Sequence, residues 1–262
     1  MKKLLLGVLL SLPLTVTAAI EDNSFLLEEA FNQEWGIVQF IQKYQTSENA
    51  QGYEYVFENE IPITDKTHQF SYALTFARQD EEGHGALNDA VLNYRWQILN
   101  KEGLLVTERF GLVLPTGRVD NNVGNGVYGF EFMKSATIQL SDDFMNHWNF
   151  GFSVLPHAKT ADIDKRRTLT SFTAGTSLIY LWKDNFNFML ETLLESGQST
   201  NPDGSKSADT ALTINPGFRF EVDMDWKETQ IVPGISFPTE LLNGPTEHGV
   251  LVYLSIEPNF LK

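Results

Sequence analysis

From residue 36 to residue 260 the chain repeats one pattern: stretches of about 10–15 residues in which apolar and polar side chains alternate, separated by turn-forming residues. In the stretch 52–61, Tyr53, Tyr55 and Phe57 fall on one face and Glu54, Glu58 and Glu60 on the other. A period of two is that of a β-strand. The pattern predicts twelve strands, at 36–45, 52–62, 68–78, 87–99, 104–115, 126–140, 145–156, 168–182, 186–196, 209–222, 227–237 and 248–260. Each is long enough to cross a bilayer at a tilt, which takes about 9–11 residues. Aromatic residues on one face and carboxylates on the other, strand after strand, point to a sheet closed on itself, greasy outside and wet inside. The expected fold is all-β, a 12-stranded antiparallel transmembrane β-barrel wound as an up-and-down meander.

The connections sort by parity. The even ones, 63–67, 100–103, 141–144, 183–185 and 223–226, are short and carry turn chemistry such as Asn100-Lys101-Glu102-Gly103. The odd ones, 46–51, 79–86, 116–125, 157–167, 197–208 and 238–247, are longer and rich in Gly, Asn, Asp and Ser. Short periplasmic turns and long outer loops are the asymmetry of an outer-membrane barrel, so both termini are expected in the periplasm. Trp96, Trp148, Trp182 and Trp226 lie near strand ends beside short turns, as an interfacial girdle would. Glu108 and Lys134 break the pattern by sharing a face with Phe110 and Phe132, which leaves the facing of the fifth and sixth strands open between snorkelling, a bulge, and an inward Arg109.

The start of the chain has its own organisation. Lys2 and Lys3 precede an apolar run from Leu4 to Leu14, and Val16-Thr17-Ala18 offers a small-residue cleavage site. Residues 1–19 therefore read as a signal peptide for export. Residues 20–35 form an N-terminal segment in which Phe25, Leu26, Ala30 and Phe31 recur at helix-like spacing behind Asn23 or Ser24; a short helix or plug lodged in the lumen and a frayed tail are the alternatives. Residues 36–262 form the barrel.

Composition narrows the function. There is no cysteine, which removes disulfides, thiol catalysis and thiolate metal sites. A net charge of -15 disfavours nucleic acid as a partner. By parity the lumen receives Lys43, Glu54, Glu58, Asp89, Asn93, Arg95, Glu131, His147, Asn149, Glu191, Glu195, Arg219, Glu221 and Glu257. Acidic positions dominate. Arg95, Arg109 and Arg219 are placed to brace the wall by ion pairs, while the surplus of carboxylates would favour cations over anions in any passage. The best constellation for hydrolysis, His147 with Asn149 and Ser153, spans about 20 Å along one strand, too far for a triad. His84 and His248, near Glu81, Glu82 and Glu247, lie in or beside loops and form no metal motif. Gly124-Asn125-Gly126 reads as a flexible loop tip without the strand-to-helix context of a phosphate site. No catalytic residue, metal or cofactor is expected.

Asp22-Asn23-Ser24-Phe25-Leu26-Leu27-Glu28-Glu29-Ala30-Phe31-Asn32-Gln33-Glu34, His68-Gln69-Phe70-Ser71-Tyr72, Leu92-Asn93-Tyr94-Arg95, Leu114-Pro115-Thr116-Gly117 and His147-Trp148-Asn149-Phe150-Gly151 resemble the motifs of a family of outer-membrane transporters linked to a meta-cleavage pathway of phenol degradation. The resemblance covers residues 21 to about 155. It implies an outer-membrane barrel passing small, hydrophobic or aromatic molecules, and supplies no catalytic or binding residues. Such barrels finish on an aromatic residue read by the barrel-assembly machinery; here Phe260 is followed by Leu261-Lys262. The expected partners are outer-membrane lipid, the assembly machinery and a small-molecule solute. A porin-like channel is the leading expectation, a closed structural or surface-interaction barrel the second, and a lipid-modifying enzyme the weakest.

Overall fold

The computed structural model describes residues 20, 22–47, 52–78, 85–121, 123–242 and 246–262. The stretch read as a signal peptide, and His84 with Glu81 and Glu82, lie outside the described residues.

Twelve antiparallel walls follow one another in chain order: β1 (Gln39–Ser47), β2 (Tyr53–Pro62), β3 (His68–Arg78), β4 (Ala90–Lys101), β5 (Leu104–Leu114), β6 (Gly129–Gln139), β7 (Phe144–Thr160), β8 (Ile163–Lys183), β9 (Phe186–Thr200), β10 (Lys206–Phe220), β11 (Thr229–Ser236, continued by Thr239–Leu241) and β12 (Glu247–Glu257). β12 pairs with β1 from Phe40↔Ile256 to Ser47↔Gly249, and the sheet closes. Closure leaves no row of unpaired backbone groups, which hydrocarbon would not tolerate. The eleventh wall is broken at Phe237-Pro238, where Pro238 and the facing Pro216 have no N–H to donate.

The alternation has the predicted hand. Phe110, Phe130, Phe150, Phe152, Trp182, Phe188, Leu190 and Val252 stand exposed on the outside. Gln39, Gln69, Asn93, Arg95, His147, Asn149, Glu191, Asn215 and Arg219 are buried inside. The open facing of β5 and β6 is settled. The pairing from Leu104↔Ile138 to Val113↔Gly129 runs without a bulge. Glu108 and Lys134 both point outward and bond to each other at 3.0 Å, while Arg109 points in.

Two of the six expected loops are mostly strand. β7 and β8 extend to a turn at Ala161-Asp162, and β9 and β10 leave only 201–205 between them. Past the exposed aromatic band the outward face is no longer apolar, so the alternation stops while the backbone ladder continues; reading strands by hydrophobicity ended them too soon. A bulge at Leu155–Ala158 and a left-handed Asp162 (φ 59°) turn the first of these hairpins. In the second, the Ser205 hydroxyl and backbone N–H hold the Asp203 carboxyl below its usual range. The first strand is also shifted, to 39–47 from 36–45.

The Gly124–Gly126 stretch is pinned, not a free tip. The Asp89 carboxylate accepts the Gly117 N–H at 2.9 Å and the Asn125 N–H at 2.6 Å. The Asn125 carbonyl accepts the Lys159 N–H, and Val123 is buried with Ala77 and Ala86. Gly124 (φ 89°) and Gly126 (φ 62°) adopt the left-handed backbone this path requires. Asp89 therefore anchors a loop over the rim. Hydrogen bonds to a charged group contribute about 1.5–3 kcal/mol each. Asp89→Ala is expected to speed tryptic cleavage after the exposed Arg118 by roughly tenfold or more in the otherwise intact barrel, followed by mass spectrometry of the fragments.

Candidate functional site: an acidic vestibule above a buried arm

Residues 22–34 run inside the barrel as an irregular arm with no helix. The expected capped helix does not form because lumen side chains take the backbone groups that helical bonds would otherwise satisfy. Arg219 donates to the carbonyls of Ile20, Asp22 and Asn23 at 2.7–3.0 Å. Glu191 accepts the N–H groups of Leu26 and Leu27, and Asn215 holds its other oxygen at 2.6 Å. Asn149 brackets Glu28, accepting its N–H and donating to its carbonyl. Thr137 accepts the Ala30 N–H, and Gln97 donates to the Ala30 carbonyl. Arg95 donates to the carbonyl of Phe31 and to Asn32 Oδ1. Gln69 accepts the Gln33 N–H at 2.8 Å. The arm leaves at the short-turn rim, where Glu34 pairs with Lys66 and Ile37 bridges to Asn259.

Charge and shape fix it further. Arg95 pairs with Glu60 at 3.0 Å, and Arg109 with Glu28 at 2.8 Å and Glu131 at 3.4 Å. The Asp22 carboxylate accepts from Gln39 Nε2 and the Tyr253 hydroxyl. Phe25 meets Tyr253 edge-on at 5.9 Å. A Cβ at Gly217 would lie 2.5 Å, and one at Gly234 2.7 Å, from the Phe25 ring; one at Gly175 would lie 2.6 Å from Leu27. These strand glycines are the recess into which the arm packs.

The fourteen residues expected to line the lumen thus divide by role. Arg95, Asn149, Glu191 and Arg219 grip the arm, and Glu131 pairs with Arg109, which grips it too. Asn93 accepts from Arg109 and donates to Ser71. His147 acts one step away: the Thr137 hydroxyl that accepts from Ala30 lies 2.8 Å from His147 Nδ1. Glu257 accepts from Gln39 and Ser255 at the short-turn end, and Glu221 lies beyond the end of β10. Asp89 belongs to the loop anchor. Arg219 differs from its expected role, because it serves main-chain carbonyls where an ion-pair brace was anticipated. His147, Asn149 and Ser153 diverge: Ser153 bonds to Ser171.

Lys43, Glu54 and Glu195 remain on the long-loop side of the arm, whereas Glu58 accepts from the Ser71 hydroxyl and stands within reach of Glu28 and Arg109 at the level of the arm. Glu195 feels the charges of Glu240 and Glu54, and Lys43 is the base acting on Glu54. A cavity of about 310 Å³ lies there against Ser171, Thr173, Glu195, Gly197, Asp209 and Ala211. A second, also about 310 Å³, lies toward the short-turn rim between arm residues 29 and 31–34 and the wall at Gln230 and Glu257. The arm stands between the two. Alternation also puts Gln39, Gln69, Gln97 and Tyr253 on the inward face, where they are buried, but it gives no sign that they hold the arm. Sequence reasoning missed Glu240, whose short strand follows Pro238.

No family model matches the chain, and no curated protein matches it. Solved structures do. An outer-membrane channel from Pseudomonas putida F1 superposes with a TM-score of 0.65 at 13% identity, over 87% of this chain and 97% of that one. The NanC porin gives 0.55 at 12%, over 83% and 98%. The KdgM porin gives 0.52 at 10%, over 82% and 97%. At these identities the likeness is one of fold: the closed antiparallel barrel of outer-membrane proteins.

Overfilling the recess tests the arm. Gly234→Val places an isopropyl group against Phe25, an overpacking that costs about 1–3 kcal/mol or more. The variant is expected to expose Glu28 and Glu29 to a glutamate-specific protease, and adding Phe25→Ala is expected to restore protection.

Proposed function

We infer that this protein is an outer-membrane channel for the passive passage of small solutes, with a cation preference set above the arm. The observation that carries this reading is the electrostatic contrast across the arm. Below it, arginines meet carboxylates and main-chain carbonyls. Above it, Glu54, Glu195 and Glu240 share a water-facing wall with Lys43 as the base acting on Glu54, while Glu58, deeper in, is reached by both Lys43 and Arg109. Carboxylates not matched by bases lower the potential of a narrow lumen and favour cations. The short-turn rim is then periplasmic, the long-loop rim faces outside, and the leader is removed on export. Phe260, with Lys227 4.3 Å over its ring, is the aromatic residue assigned to the assembly signal.

The motifs shared with the phenol-pathway transporters favour small aromatic or hydrophobic solutes as the cargo. An enzymatic role is disfavoured because His147, Asn149 and Ser153 are each engaged by a different partner. A closed structural barrel is the second reading, and the density of bonds on the arm favours it.

Planar-bilayer recording separates the two. The mature chain is expected to give small conductance steps, and a chain lacking residues 20–35 larger ones. In a salt gradient the reversal potential takes the sign for potassium, and Glu54→Gln, Glu195→Gln and Glu240→Gln together move it toward zero. Channels absent from both chains would establish the closed barrel, and an anion-selective reversal potential would overturn the vestibule assignment.

A further inference from the structure

Glu108 and Lys134 have no part in the lumen. They face each other on β5 and β6, Nζ to Oε1 3.0 Å, on the outside of the barrel. Apolar residues flank the pair toward both rims: Val106 and Ala136 on the short-turn side, Phe110 and Phe132 on the other. The pair is thus set in the short-turn half of the lipid-facing band, where Glu108 pairs across the strands with the girdle Trp96. A charged side chain costs about 2–4 kcal/mol at the midplane and about 0–1 kcal/mol near an interface; mutual pairing removes only part of this, because the Lys134 side chain remains 48% exposed. Around it stand strongly exposed aromatics, with Trp96 opposite Glu108 and Phe150 opposite Lys134.

The geometry points to a homodimer contact: we propose that this face packs against the same face of a second copy of the chain. The argument is charge complementarity under the symmetry that a membrane imposes. Copies inserted by one route share an orientation, so a twofold axis relating them lies along the membrane normal. Such an axis keeps heights and exchanges left for right. Glu108 and Lys134 are cross-strand partners, and at a strand tilt of about 35–45° they are offset more around the circumference than along the axis, so the rotation sets Glu108 against the partner's Lys134 and Lys134 against the partner's Glu108. Two pairs become a closed square of alternating charge, withdrawn from lipid. A vertical or single charge would not be self-complementary in this way. The rings of Phe110 and Phe132, 5.4 Å apart, supply apolar contact above the square. The inference depends on the transmembrane fold and not on whether the lumen conducts.

The chain contains no cysteine, so single cysteines report proximity without background. Phe110→Cys and Ala136→Cys, above and below the pair, are expected to give a disulfide-linked species of twice the chain mass in native outer membranes under mild oxidation. Leu190→Cys, exposed on β9, is the control and is expected to give none. Introduced with Phe110→Cys, Glu108→Lys or Lys134→Glu alone sets like charges against each other and is expected to abolish the crosslink. Co-expressing those two reversals, or combining both in one chain, is expected to restore it. Heat-modifiable mobility on gels verifies that each variant is a folded barrel. Crosslinking at Phe110→Cys no stronger than at Leu190→Cys would overturn the proposal, and so would crosslinking indifferent to the single reversals. Either result would assign the pair to lipid headgroups.

Discussion

Hydrocarbon offers no partner to a backbone N–H or C=O, and every other feature of this molecule answers to that constraint. The walls meet it by pairing with one another around a complete circle, from β1 through β12 and back. Pairing fixes the pleat, and the pleat divides each strand into a lipid side and a lumen side. Twelve strands enclose more volume than their inward side chains fill. The interior therefore needs either water or a further piece of chain.

The arm is that piece, and it meets the same constraint by another route. Its backbone is irregular, which at bilayer depth is tolerable only where protein satisfies it. Lumen side chains do so almost group by group: Glu191 for two successive N–H groups, Asn149 for both polar groups of Glu28, and Arg219 for three carbonyls. Buried charges earn their place here by serving main chain as well as each other. What is left ungripped, on the long-loop side, is an acidic wall.

The barrel was legible because its signal is periodic and survives local error. The strand count, the inward and outward sets, and the order of the walls all follow from alternation. Boundaries were less legible where hydrophobicity and hydrogen bonding part company, as in the extended hairpins around Ala161 and Asn201. The Glu108–Lys134 pair looked like a register fault because a single strand cannot show that its neighbour carries the complementary charge at the paired position. The arm was visible as an apolar segment, but its conformation was not, because its partners are spread along the whole barrel, from Gln39 on the first wall to Tyr253 on the last. Helix-like spacing at Phe25, Ala30 and Phe31 was a coincidence of which residues meet glycine recesses and which meet polar walls. The recess itself hid in Gly217 and Gly234, which read on their own as weak points of a strand.

Those distant partners have a consequence for the order of events during biogenesis. Asp22 is held jointly by Gln39 on the first wall and Tyr253 on the last, with Arg219 close behind. No partly zipped sheet presents these three together. The segment made first is thereby the one that settles last, and its seating is a molecular record that the seam between the two ends of the sheet has shut.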